Sequence, residues 1–278
     1  MKMEKKKNKF LSNKVFVIFG ILAIAIIMVA ILAPQICGDV DPTKGNLADS
    51  ILEPSAEHPF GTDKMGRDIF ARVIYGARSS LSSTLILVAL ILVVGTFLGI
   101  LAGYFGGWVD AVIMRIADMM IAFPGLVLAI AVAGILGPSM RNAVIAISLV
   151  SWPKYARLAR SLVMKIRHTD FVEAAIVTGS KTPYMLCKYM LPNTVTTLVI
   201  TAATDIGSMM MELAALSFLG FGAKPPTPEW GQMLNEGRSL IQTAPWMMIY
   251  PGLAIFVTVV VFNMLGDSLR DILDPREE

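Results

Sequence analysis

Histidine and cysteine are nearly absent from this chain, with two of each in 278 residues. Cys37 and Cys187 supply no CxxC pair, and so few sulfurs cannot form a disulfide framework. No GxxxxGK[ST] phosphate loop occurs, which excludes binding and splitting of ATP in the Walker manner. No grouping of serine, histidine and carboxylate offers a nucleophile, a base and an orienting group in mutual reach, so an enzyme is the weakest reading. Charge is scarce too: 16% of residues are charged, against roughly a quarter in soluble domains. Net charge is only +3, and the basic residues gather near the ends of apolar runs instead of interleaving with aromatics, which argues against a nucleic-acid partner. What is abundant is apolar: 55% of residues are hydrophobic and mean hydropathy is +0.65, the composition of an integral membrane protein in contact with lipid.

A spanning helix needs about 20 apolar residues. Six segments meet that demand: Val15 to Ile36, Leu81 to Gly103, Ala111 to Leu136, Asn142 to Ala159, Thr194 to Leu219 and Trp246 to Gly266. The expected fold is therefore an all-α bundle of six transmembrane helices. The first run follows a basic flank, is too long for a signal-peptide core and precedes no small-residue cleavage site, so it reads as a retained anchor. Lys2, Lys5, Lys6, Lys7, Lys9 and Lys14 place the amino terminus in the cytoplasm by the positive-inside rule, and six crossings return the carboxyl terminus there. Arg160, Lys165, Arg167, Lys181 and Lys188 make the linker after the fourth span cytoplasmic as well. The loop between spans one and two then lies outside, although Lys44, Lys64, Arg67, Arg72 and Arg78 run against the rule. Three regions result: residues 1–36 as tail and first anchor, 37–80 as an external loop with an interfacial helix, and 81–278 as a five-helix core containing a cytoplasmic loop at 160–193. This topology puts Cys37 opposite Cys187 and His58 opposite His168, so neither pair can meet in one monomer.

The cytoplasmic loop holds EAAIVTGSKTPYMLCKYMLP, Glu173 to Pro192. Asp170 with Glu173 three residues on forms a capping-box variant at a helix start. Gly179 can take positive φ and end that helix, Pro183 suits the first turn of a second, and Pro192 is expected to end the second at Leu191. Ala174 and Ala175 would leave a low-profile surface able to lie in a partner's groove.

The spacing of Glu173-Ala174-Ala175, Gly179 and Leu191-Pro192 resembles the coupling loop of ATP-binding-cassette importer permeases, with Tyr189 in place of the usual isoleucine. HPFGTDKMGRDIFARVIYGAR (58–78), FPGLVLAI (123–130), LSFLGFG (216–222), PPTPEWG (225–231) and FNMLGDSLRDILDP (262–275) are similar to the second permease subunit of dipeptide, oligopeptide and nickel importers. SWPKYARLARSLV (151–163) and ATDIGSMM (203–210) look closer to nickel permeases. The resemblance implies a type I importer permease of the cell (inner) membrane. It implies a heterodimer with a second permease, two nucleotide-binding ATPase subunits that hold ATP and magnesium, and an external substrate-binding protein. The expected cargo is nickel, free or chelated, with dipeptides or oligopeptides as the alternative. No cofactor and no fixed metal site are expected in this chain.

Ionisable groups inside spans are costly and mark function. Asp205 and Glu212, seven residues apart with Met209 between, share a helix face and could draw a divalent cation along a path. They could equally hydrogen-bond a neighbouring helix while methionines fill gaps. Arg115 and Asp118, three apart, are expected to pair as a structural element. Phe123-Pro124-Gly125 should kink the third span, statically or as a moving part. Gly95, Gly99 and Gly103 form a smooth stripe for helix association, within the subunit or with a partner. The segment Gly220 to Pro245, with Trp230 suited to the membrane interface, either receives a binding protein or caps the bundle. Segment 67–78 is expected to lie along the membrane surface as an amphipathic helix. The rival functional class, a gradient-driven secondary transporter or channel, would show an internal repeat with broken helices, and none is visible.

Overall fold

The computed structural model describes residues 13–273; Lys2 to Lys9 of the basic flank and Pro275 lie outside them. Every regular element among the described residues is helical. Helix α1 (Lys14–Ile31) starts where the Asn13 side chain accepts from Phe16 N, and a short α2 (Ala33–Cys37) follows it. Next come α3 (Ile69–Phe105), α4 (Gly107–Ile121), α5 (Gly125–Leu136), α6 (Met140–Arg167) and the pair α7 (Asp170–Val177) and α8 (Thr182–Met185). A π-turn at Leu186–Met190 leads into α9 (Leu191–Phe218), and α10 (Trp230–Gly237) and α11 (Trp246–Leu273) complete the chain.

By length and composition, four helices among the described residues can cross a bilayer, or five if the α4–α5 pair counts as one broken span. The expected span Asn142 to Ala159 lies within α6, a 28-residue helix that falls outside this count by composition because it carries Lys154, Arg157 and Arg160 along its middle and second half. At Phe123-Pro124 the expected kink is a break that turns the chain by 95°.

Helix α3 is the axle of the bundle, its 37 residues reaching about 55 Å at 1.5 Å per residue. It packs most extensively on α6, and the glycine stripe is the reason. A Cβ on Gly95 would stand 2.5 Å from Tyr155 Cβ, one on Gly99 2.3 Å from the Ala156 carbonyl, and one on Gly103 2.9 Å from Val163 Cβ. The stripe therefore serves association within the subunit. Around this seam Leu87, Ile91, Ala133, Ile147, Leu198 and Leu213 form the largest core. A second core, containing Ile69, Val73, Met210, Trp230, Met247 and Phe262, ties the start of α3 to α9, α10 and α11.

Two expectations about element ends are corrected. Residues 69–80 do not form a separate surface helix; they are the first third of α3, with Ile69, Arg72, Val73 and Ala77 buried. Nor does Pro192 stop a helix. It lies in the first turn of α9, where a missing N–H costs little, and the preceding π-turn absorbs the steric conflict. Side chains add donors to two carbonyls there: Asn193 Nδ2 donates to Tyr189 O at 2.7 Å and Thr194 Oγ1 to Met190 O at 3.0 Å.

Candidate functional site

The two ends of α3 define the two ends of the bundle, and the segment 168–190 sits at the end where α3 finishes. Val172, Ala175, Met185 and Met190 are buried there against Ile100 of α3 and Val163 of α6. The N-cap of α7 is Thr169, not Asp170, and no side chain caps the helix. The expected capping box does not form, because the Thr169 hydroxyl turns back to donate to Ile166 O at 2.7 Å. Asp170 and Glu173 instead lie in the first turn, where the helix dipole favours negative charge. The far end of α7 is a Schellman closure. Gly179 adopts φ +82°, Ser180 N donates to Ala175 O at 3.0 Å and Gly179 N to Ile176 O at 2.9 Å.

Because successive helical residues turn by about 100°, the two alanines cannot face the same way. Ala175 is buried and Ala174 exposed, so only one of them belongs to the outer surface. That surface is more apolar than expected: Phe171, Ile176 and Tyr184 are about half exposed, and Val177 is 87% exposed. Glu173 stands among them, while Leu191 and Pro192 are exposed at the start of α9. Leu191 also lines an apolar groove of about 410 Å³ together with Leu92, Phe97, Cys187 and Val195.

Midway along the bundle, Asp205 is buried and fully engaged. Lys154 Nζ lies 2.7 Å from both its carboxylate oxygens, and Tyr155 Oη donates to Oδ2 at 2.9 Å. Met209 belongs to the main core, and Glu212 is half-buried. The expected Arg115–Asp118 pair is absent from the described residues. Asp118 accepts from Arg157 Nη2 at 2.6 Å instead, since α6 packs alongside α4 and brings a guanidinium closer than the same-helix neighbour, while Arg115 is exposed. Arg160 pairs with Asp110 on the same two helices.

At the end where α3 begins, loop 38–68 folds onto segment 220–246. Arg67 Nε lies 2.7 Å from Asp63 Oδ2, and its Nη2 lies 3.1 Å from Glu236 Oε1. Arg72, 1% exposed, reaches the other Glu236 oxygen at 2.7 Å. Asp68 caps α3 by accepting from Ala71 N and also meets His58 Nδ1 at 2.9 Å. Glu229 caps α10, accepting from Gly231 N and Gln232 N. Burial pushes its carboxyl above the usual range, and those backbone donors with the Ser217 and Ser80 hydroxyls hold it back. Trp230 is not at the rim of the bundle: it is 3% exposed and its Nε1 donates to Val73 O at 2.8 Å. Phe60 stacks on Tyr250 at 3.9 Å. An open cavity of about 700 Å³ lies within this cap, lined by Asp63, Lys64, Pro226 and Glu236 among others.

Residue spacing identified the bent α7–α8 segment and the acidic positions of α9. It missed Lys154, Arg157 and Glu236, which find their partners across 51, 39 and up to 169 residues. The available signal was a cation inside each of two long helical segments, Lys154 near the middle of α6 and Arg72 in the first turn of α3.

Residues 95–278 match the family described as binding-protein-dependent transport system inner membrane component. The chain is 45% identical to the dipeptide transport system permease protein DppC of Alkalihalophilus pseudofirmus, over 95% of this chain and 86% of that one. It is 43% identical to the glutathione transport system permease protein GsiD of Pectobacterium atrosepticum, over 97% and 89%. It is 41% identical to the nickel transport system permease protein NikC of Escherichia coli, over 97% of each. Its fold is similar to that of the inward-facing MetNI methionine ABC transporter, with a TM-score of 0.58 and 17% identity over 74% of this chain and 98% of that one.

Proposed function

This chain belongs to the family of binding-protein-dependent transport system inner membrane components, and from that premise we propose that it is the permease subunit through which ATP hydrolysis in separate chains drives solute import. The single observation behind the mechanism is the α7–α8 segment: a rigid, Schellman-closed turn whose inner face is packed into α3 and α6 and whose outer face stands apolar and uncovered. An ATPase subunit seated on Phe171, Ala174, Ile176 and Val177 would push directly on the helices that this segment grips. Glu173, at the helix start, offers a carboxylate to that partner. The full assembly is a heterodimer with a second permease, two nucleotide-binding subunits with ATP and magnesium, and an external binding protein received at the cap formed by loops 38–68 and 220–246.

The cargo we propose is a short peptide, in preference to nickel. Segments 151–163 and 203–210, which look nickel-like in sequence, contain Lys154 and Asp205, and the lysine occupies both oxygens of the carboxylate. A carboxylate already neutralised by an ammonium has little attraction for a bare divalent cation. Identities of 45%, 43% and 41% to dipeptide, glutathione and nickel proteins do not separate the cargoes.

The test is uptake by proteoliposomes containing the complete complex, offered labelled dipeptide or radioactive nickel with and without ATP. Dipeptide accumulation that requires ATP is expected. Nickel uptake without dipeptide uptake would reverse the cargo, and nucleotide-free transport by the isolated chain would end the mechanism.

A further inference from the structure

Lys154 is placed where a cation has no reason to be unless water or another polar group meets it. It stands near the midpoint of the 28-residue α6, and its partner Asp205 near the midpoint of the 28-residue α9. A Cβ on Gly95 would touch Trp152 O at 2.7 Å and Ala156 N at 3.2 Å, so Lys154 is level with the middle of the apolar run of α3. At that depth its side chain is 59% exposed, whereas that of Asp205 is 9% exposed. One helical turn further on, Arg157 and Asp118 form a second pair in which both side chains are about half exposed. A pair of uncovered charges in mid-membrane faces a water-filled route or a second protein, never lipid tails.

We infer that the face of α6 bearing Lys154 and Arg157, with Asp205 of α9 and Asp118 of α4, lines the solute route, and that Lys154 receives the carboxylate of a solute passing along it. The chemical class selected is a small molecule with a free carboxylate. Asp205 fixes the ammonium from its buried side through both oxygens, which leaves the third hydrogen of Lys154 for a group in the route. Lys154 is thus a specificity-determining residue, and Asp205 a positioning residue acting through it. Each of Asp205, Asp118 and Asp110 is matched by a base from α6. The carboxylate assignment rests on the peptide reading above; the assignment of this face to the route does not.

The experiment compares ATP-driven uptake of a dipeptide with that of the same dipeptide amidated at its carboxyl end, using the complete complex in proteoliposomes. With wild-type chain the amide should show a KM about tenfold higher, as expected for loss of one charge-assisted hydrogen bond. Lys154→Met combined with Asp205→Asn, which removes the pair without leaving a lone buried charge, should bring the two KM values together with kcat little changed. Lys154→Arg should preserve the difference. An unchanged KM ratio in the neutral double variant overturns the carboxylate role. The face is tested separately by thiol labelling in a chain carrying Cys37→Ser and Cys187→Ser. Lys154→Cys with Asp205→Asn, and independently Arg157→Cys with Asp118→Asn, should react with a charged, membrane-impermeant reagent in the assembled complex. Absence of reaction at both positions overturns the route assignment. Nickel uptake without dipeptide uptake, together with labelling at these positions, would refute the peptide cargo and the carboxylate role while upholding the route.

Discussion

Where α3 begins, four charged side chains, Asp63, Arg67, Arg72 and Glu236, are packed out of solvent against one another. Where α3 finishes, the loop 168–190 leaves Phe171, Ile176, Val177 and Tyr184 uncovered although they are apolar or aromatic. The cap satisfies its costly groups internally, so its stability is a property of this chain. The α7–α8 end carries apolar surface that this chain leaves uncovered, and exposed apolar patches of this kind mark interaction sites. One end is thus finished and the other is waiting. Substitutions at the first should damage folding, and substitutions at the second should damage transport while sparing the fold.

The largest effect should come from the cap. Arg72→Ala would leave Glu236 with less than its paired charge in a buried setting, a loss of about 3–5 kcal/mol for this kind of truncation. The variant is expected to yield little monodisperse protein in detergent, with a clearly lowered Tm. Replacing the pair together, Arg72→Met with Glu236→Leu, should recover much of the loss. If the single variant were as stable as wild type, the cap would not be the self-sufficient unit described.

Next in size is the seam that joins the two ends. Gly99→Ala puts a methyl 2.3 Å from the Ala156 carbonyl, a backbone atom that cannot step aside. Overpacking of this order costs about 1–3 kcal/mol. Thermal unfolding of the purified chain should show it, and transport should fall only in proportion to folded protein.

Much of this arrangement was legible in the residues alone. The apolar runs located the long helices, the small-residue period located a close seam, and the Gly179 and Pro183 signals located the bend between α7 and α8. All of these depend on neighbours within a turn or two. The long-range pairings were not legible, because a local period shows which face a residue shares and not who stands opposite. Arg72 at helical spacing with Arg67 looks like the polar side of a surface helix until Glu236, 164 residues away, is brought to it. Asp118 likewise looks like the partner of Arg115 until α6 supplies Arg157. The consecutive alanines of α7 failed for the opposite reason: their chemistry is alike but their directions differ by a quarter turn.

Gly179→Val moves to the coupling end and should be smaller in stability. The φ of +82° penalises a branched residue by about 1–2 kcal/mol, and no atom lies within 4 Å to add a clash. The chain should still fold and assemble. ATP-dependent uptake should fall well below that of Gly99→Ala at equal folded protein, since the turn that aims α7 is altered. Equal uptake would mean that the turn is not part of the transmission.

The sharpest separation of the two ends is expected from the smallest perturbation. Val177 is 87% exposed and contacts neither core, so Val177→Ser should leave Tm unchanged within the range of an ordinary surface substitution, about 0.5 kcal/mol. If the uncovered face of α7 is where an ATPase subunit sits, the same change removes apolar area from the centre of that contact, and co-purification of the ATPase subunits and ATP-driven uptake should both decline. A lowered Tm with intact uptake would show instead that Val177 serves this chain's own packing. The pattern that supports a waiting surface is a loss of partner and transport with no loss of fold, which is the reverse of what Arg72→Ala is expected to give, and measuring both variants on one preparation decides whether the two ends really obey different rules.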